Sequence, residues 1–137
     1  MKRLITAAFL AALAIVTLHA EDLQVIATIP FDFHACSRVM PSGKYVIQSE
    51  GSALLLRAEG PSRAACITVP HAAFDPTGAQ TAKLVFRRYG RDYFLRTIWG
   101  GLSNSGKELP VERQEKIFLA QIKRNGLTPT VLALAAR

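Results

Sequence analysis

The stretch from Thr81 to Trp99 constrains the fold more than any other part of the chain. Two runs rich in β-branched, aromatic and apolar residues flank Gly90-Arg91. A glycine at the first central position of a two-residue loop specifies a type II′ hairpin. With Tyr89 and Asp92 closing the turn, Phe86 is expected opposite Leu95 and Leu84 opposite Thr97, and this face, completed by Tyr93, belongs in a core. The other face pairs Arg87 with Phe94, Val85 with Arg96 and Lys83 with Ile98, so cations alternate there with apolar groups.

The remaining chain repeats the same chemistry. From Leu23 to Phe33 the odd positions are apolar and most even ones polar, which predicts a long half-buried strand that bends at Pro30, where no N–H is available for pairing. Met40-Pro41-Ser42-Gly43 fits a type I turn. Strands are expected over Lys44 to Ser49, Ala53 to Arg57 and Ala64 to Val69, separated by Glu50-Gly51-Ser52 and Glu59-Gly60-Pro61-Ser62. Residues 71–80 read as a surface loop and residues 100–106 as irregular, because turn-forming residues dominate both. Pro110 to Arg124 is the one helix: proline suits its first position, acids lie in the first turns, cations in the last, and Asn125-Gly126 stops it. Its apolar stripe is Val111, Phe118 and Ile122, with Ile117 and Leu119 beside it, and Glu112 and Lys116 are spaced for an i,i+4 ion pair. Thr128 to Ala135 is either a last strand or a docked tail. The pattern predicts a mainly β domain, an antiparallel β-sandwich or small barrel with one C-terminal α-helix.

Ahead of it stands an export signal. Lys2-Arg3, an apolar run from Leu4 to Leu18 and His19-Ala20 supply its three regions, with cleavage expected after Ala20 and an uncleaved anchor as the alternative. The fifteen-position run is shorter than a membrane-spanning helix requires, roughly 18 apolar residues. The chain therefore divides into a signal helix, residues 1–20, and a single domain, residues 21–137, periplasmic or secreted in a bacterium. The formal charge of +7 includes Lys2 and Arg3, leaving +5 on residues 21–137. That balance favours anionic partners, whether acidic glycan, lipid headgroup or an acidic envelope protein. Nucleic acid is not expected outside the cytoplasm.

Ile29-Pro30-Phe31-Asp32-Phe33, Met40-Pro41-Ser42-Gly43-Lys44-Tyr45, Lys83-Leu84-Val85-Phe86 with Gly90 and Tyr93-Phe94-Leu95, then Trp99 and Glu108-Leu109-Pro110 resemble a group of small exported bacterial β-proteins of no known activity. The resemblance covers most of residues 25–118. It implies location and fold, and no catalytic residue.

Few constellations could carry chemistry. Cys36 and Cys66 are the only cysteines, and in an oxidising compartment they are expected to form a bridge that stabilises the fold by about 3 kcal/mol. The competing reading is a metal-handling or hydrolytic site in which Asp32, His34, Cys36, Cys66 and His71 hold zinc or copper, although their spacing matches no recognised ligand signature. Asp32 and Asp75 could act as paired carboxylates, but Asp75 precedes a proline in a turn, where capping its own backbone is its usual task. There is no Gly-x-Ser-x-Gly elbow and no phosphate-cradling loop, so a non-enzymatic domain without a cofactor is the primary expectation. Lys83, Arg87, Phe94 and Arg96 remain as a basic-aromatic candidate site for an anionic ligand. Alternatively, that face is solvated sheet or the seat of the helix.

Overall fold

The computed structural model describes residues 23–77, 81–101 and 103–137. The segment expected as an export signal, residues 1–20, lies outside these residues. Among them, eleven strands and one helix follow in the order β1 (Gln24–Ile29), β2 (Phe33–Ala35), β3 (Arg38–Met40), β4 (Gly43–Glu50), β5 (Ala53–Ala58), β6 (Ala65–Thr68), β7 (His71–Phe74), β8 (Ala82–Tyr89), β9 (Asp92–Gly100), β10 (Ser105–Glu108), α1 (Arg113–Arg124) and β11 (Thr130–Ala135). One antiparallel sheet has the order β1-β4-β5-β6; the other runs β11-β8-β9-β10-β7, with β2 joined to β9 in parallel and β3 hydrogen-bonded to β2. Of the expected sandwich or small barrel, the two-sheet sandwich-like form is the architecture, with one C-terminal helix among the described residues.

Alternation places the core between the sheets. Val25, Ile29, Tyr45, Ile47, Leu54 and Leu56 from the first meet Leu84, Phe86, Leu95 and Ile98 from the second in one buried cluster. Phe33 from β2 sits between them, edge-on to both Tyr45 (5.1 Å) and Phe86 (5.8 Å). At about 25 cal/mol per Å² of apolar surface, such side chains contribute most of the stability. The sheets also join along both sides. Ile26 and Arg137 exchange two backbone hydrogen bonds (3.0 and 2.9 Å), linking β1 to the end of the last strand, and Val69-Pro70 carries the chain from β6 in one sheet into β7 in the other.

Several sequence expectations need correction. The first strand does more than bend at Pro30: it ends at Ile29, and the next three-residue strand belongs to the opposite sheet. Residues 71–74, expected as loop, pair as β7 with residues 105–108 of β10, the first two of which were expected to be irregular. The hairpin turn follows the predicted register from Tyr89–Asp92 back to Phe86–Leu95, with Gly90 at φ +63. A β-bulge then absorbs Arg96, so Val85 faces Thr97, Leu84 faces Ile98 and Lys83 faces Trp99. The extra residue turns Ile98 inward, where it is fully buried, instead of outward beside Lys83.

The helix differs too. Pro110 and Val111 precede the helix without regular structure, Glu112 is extended, and the first helical residue is Arg113. Glu112 does not pair with Lys116; its Oε1 accepts a hydrogen bond from the Ser37 backbone N–H (2.9 Å). Ser37 and Cys36 both hold left-handed φ, +60 and +53, in the two-residue turn from β2 to β3. That geometry normally selects Asn or Gly. Here the bond to Glu112 and the Cys36–Cys66 bridge brace it from two sides. Ile117 lies on the exposed side, and the helix buries Glu115, Phe118, Leu119 and Ile122 to varying degrees.

Candidate functional site

The outward row of the second sheet runs from Val131 on β11 through Arg87 and Phe94 to His34 on β2, as their register dictates. The basic-aromatic face foreseen from the hairpin is this row and its neighbours, and the structure separates its four residues. Phe94 is 1% exposed. It stacks on the His34 imidazole at 4.3 Å and meets Tyr89 and Phe118 edge-on at 5.6 and 5.9 Å, so the face at this end is the seat of α1. Arg96, displaced by the bulge, has only 14% of its side chain exposed; it binds the Glu108 carboxylate at 2.6 Å and donates to the Leu109 carbonyl at 2.7 Å. Arg87 points towards Glu115, with 4.0 Å between guanidinium and carboxylate. Lys83 is half-buried, its ammonium 5.9 Å from the Trp99 ring centroid, while Trp99 lies against Gly106, where a Cβ would come within 2.6 Å of the indole. These four residues form no single open pocket.

Under the helix is a polar cluster that sequence periodicity does not reveal. Glu115 is 2% exposed, and its Oε1 accepts a hydrogen bond from the Tyr89 hydroxyl (3.0 Å). Burial, then the hydrogen bond and charge of Glu115, push the Tyr89 phenol up to about 12, with Arg87 opposing. The sign of the resulting pH dependence follows directly. The unfolded phenol ionises near 10 and the folded one later, so the stabilisation is complete below about pH 10 and is lost as pH rises towards 12. Chemical denaturation across that window should show falling stability, with the slope flattened in Tyr89→Phe. His34, expected to point outward, is buried, with Nε2 3.2 Å from Asp92 Oδ1.

Cys36 and Cys66 are joined, forming the bridge expected from the sequence. That removes both thiolates from the proposed zinc or copper set. Its other members are apart in role: Asp32 accepts the Ser42 N–H (2.8 Å), His34 pairs with Asp92, and His71 is exposed on β7. Among the described residues no group of three or more His, Cys, Asp or Glu could hold a metal ion. Asp75, held below the ordinary carboxylate range mainly by the Thr77 hydroxyl and then its N–H, caps its own turn.

The charge distribution is sharply sorted. The described residues carry eight carboxylates and fifteen Lys or Arg, since Glu21, Asp22, Lys2 and Arg3 lie outside them. All eight carboxylates bond within the fold; besides those above, Glu50 accepts from Gln48 and Glu59 pairs with Lys44. Of the fifteen cations, Lys44, Arg87 and Arg96 have acidic partners, while Lys83 and Arg88 lie over aromatic rings. The other ten side chains have neither kind of partner among the described residues. No helix among the described residues is long and apolar enough to cross a membrane. No family model, no curated protein and no solved structure matches the chain.

Proposed function

We propose that this chain is a non-enzymatic domain, exported to the bacterial envelope or beyond, that binds or scaffolds an anionic partner through its surface cations. On this reading the signal is cleaved after Ala20, in keeping with the small exported β-proteins the sequence resembles. The observation that carries it is the sorted charge: every described carboxylate is engaged inside the fold, while ten cations are left without acid or ring. Cations neutralised at home would offer an anion little, whereas unpaired ones gain from it at long range. The disulfide supports the compartment.

The mature protein, recovered from the periplasm or medium and shown by N-terminal sequencing to begin at Glu21, should be retained on heparin-agarose and released by salt. Retention should fall steeply with ionic strength because the contacts are screened. Passage through the column as through unmodified agarose would remove the basis of the proposal.

A further inference from the structure

We infer that the outward crest of α1, with the hairpin tip beside it, is a peripheral contact for a bilayer surface rich in anionic phospholipid. This rests on the anion-binding reading and gives it a place and a partner. At 100° per residue, Arg113, Ile117, Ala120 and Arg124 fall within about 60° of one another along the helix, opposite the buried Glu115, Phe118, Leu119 and Ile122. All four crest residues are exposed, and Lys116 and Lys123 form one exposed shoulder.

The two carboxylates that would neutralise this helix are turned away from the crest. Glu112 is bound to the Ser37 N–H and Glu115 to the Tyr89 hydroxyl beneath the helix. The outer surface of α1 therefore presents Arg113, Lys116, Lys123 and Arg124 with no acid among them. The hairpin tip adds Arg91, exposed in the turn next to Tyr89, whose ring lies 6.0 Å from that of Phe118.

Charge alone would suit any polyanion. The same region also exposes large apolar groups: Ile117 is 53% accessible, Leu127 just beyond the helix 60%, and Val131, opposite Arg87, 65%. A sulfated or carboxylated glycan gains little from such side chains. A phospholipid surface takes cations at its headgroups and apolar side chains at the boundary below them. The combination favours lipid.

Co-sedimentation of the full mature protein with phosphatidylcholine vesicles, with and without phosphatidylglycerol, tests this. Binding is expected only with the anionic lipid. Lys116→Glu with Lys123→Glu should lower the partition coefficient by about thirtyfold or more. Ile117→Ser with Leu127→Ser should lower it about tenfold while leaving heparin retention unchanged. Both pairs are exposed, so thermal midpoints should hold, which separates lost contact from lost fold. Equal binding to both vesicle types, or vesicle binding that survives either double substitution, would overturn the inference. Retention on heparin without vesicle binding also overturns it and leaves the broader anion-binding reading standing; absence of both ends that reading as well.

Discussion

Phe94→Ala should destabilise the domain by about 3–4 kcal/mol, the cost of emptying a well-packed aromatic site. The ring is 1% exposed and forms the floor on which Tyr89, Phe118 and His34 rest. Removing it leaves a cavity under α1 and strips the apolar cover from the Tyr89–Glu115 hydrogen bond, so a buried carboxylate would meet water or remain poorly partnered. For a domain of this size the loss corresponds to a fall of roughly 12–16 °C in thermal midpoint. A solvated sheet face would lose less than about 0.5 kcal/mol from the same change. Urea unfolding of the variant distinguishes the two, and a near-neutral result would mean that α1 does not seat on Phe94. Far-ultraviolet circular dichroism at low denaturant should also show a reduced helical signal in the variant, because the helix has few other buried anchors.

The second large effect is expected at the disulfide. Replacing Cys36 and Cys66 together by serine should cost about 3–4 kcal/mol, from the entropy an unlinked chain regains across a separation of 30 residues. The effect should also be local. Cys36 and Ser37 both occupy left-handed backbone regions that non-glycine residues resist, and the bridge is one of the two braces on that turn. Without it, amide hydrogens of β2, β3 and the first turn of α1 should exchange much faster, whereas those of β4 and β5 should slow to the global unfolding limit as before. A urea midpoint unchanged by the double substitution would show that the bridge adds nothing to the folded state.

How far the letters carried can be read from single residues. The turn at Gly90-Arg91 and the pairs next to it were legible because glycine fixes the local twist and period-two burial fixes the face. The bulge was not, since nothing in Leu-Arg-Thr-Ile marks Arg96 as the residue the ladder skips; its anchoring on Glu108 and the Leu109 carbonyl is a tertiary effect. Short strands such as His71–Phe74 and Ser105–Glu108 escaped for a similar reason. Their alanine, glycine and serine content reads as loop, and only their mutual pairing makes them strands. Glu115 misleads in the opposite direction. A glutamate in the first turn of a helix normally faces water, so periodicity alone points to a stripe through Val111 and gives no sign that Glu115 is buried against Tyr89. The cysteine bridge was legible because an even cysteine count, with export expected from the first twenty residues, leaves few other outcomes.

The Ile26–Arg137 hydrogen bonds have a consequence for folding. They zip β1 to Arg137, two residues beyond β11, so this side of the sandwich stays unsealed until β11 has docked. Before β11 docks, β1 and β8 would thus both show bare edges. Loss of β11 through a premature stop would make that transient condition permanent, leaving two open templates for strand-to-strand aggregation on one molecule.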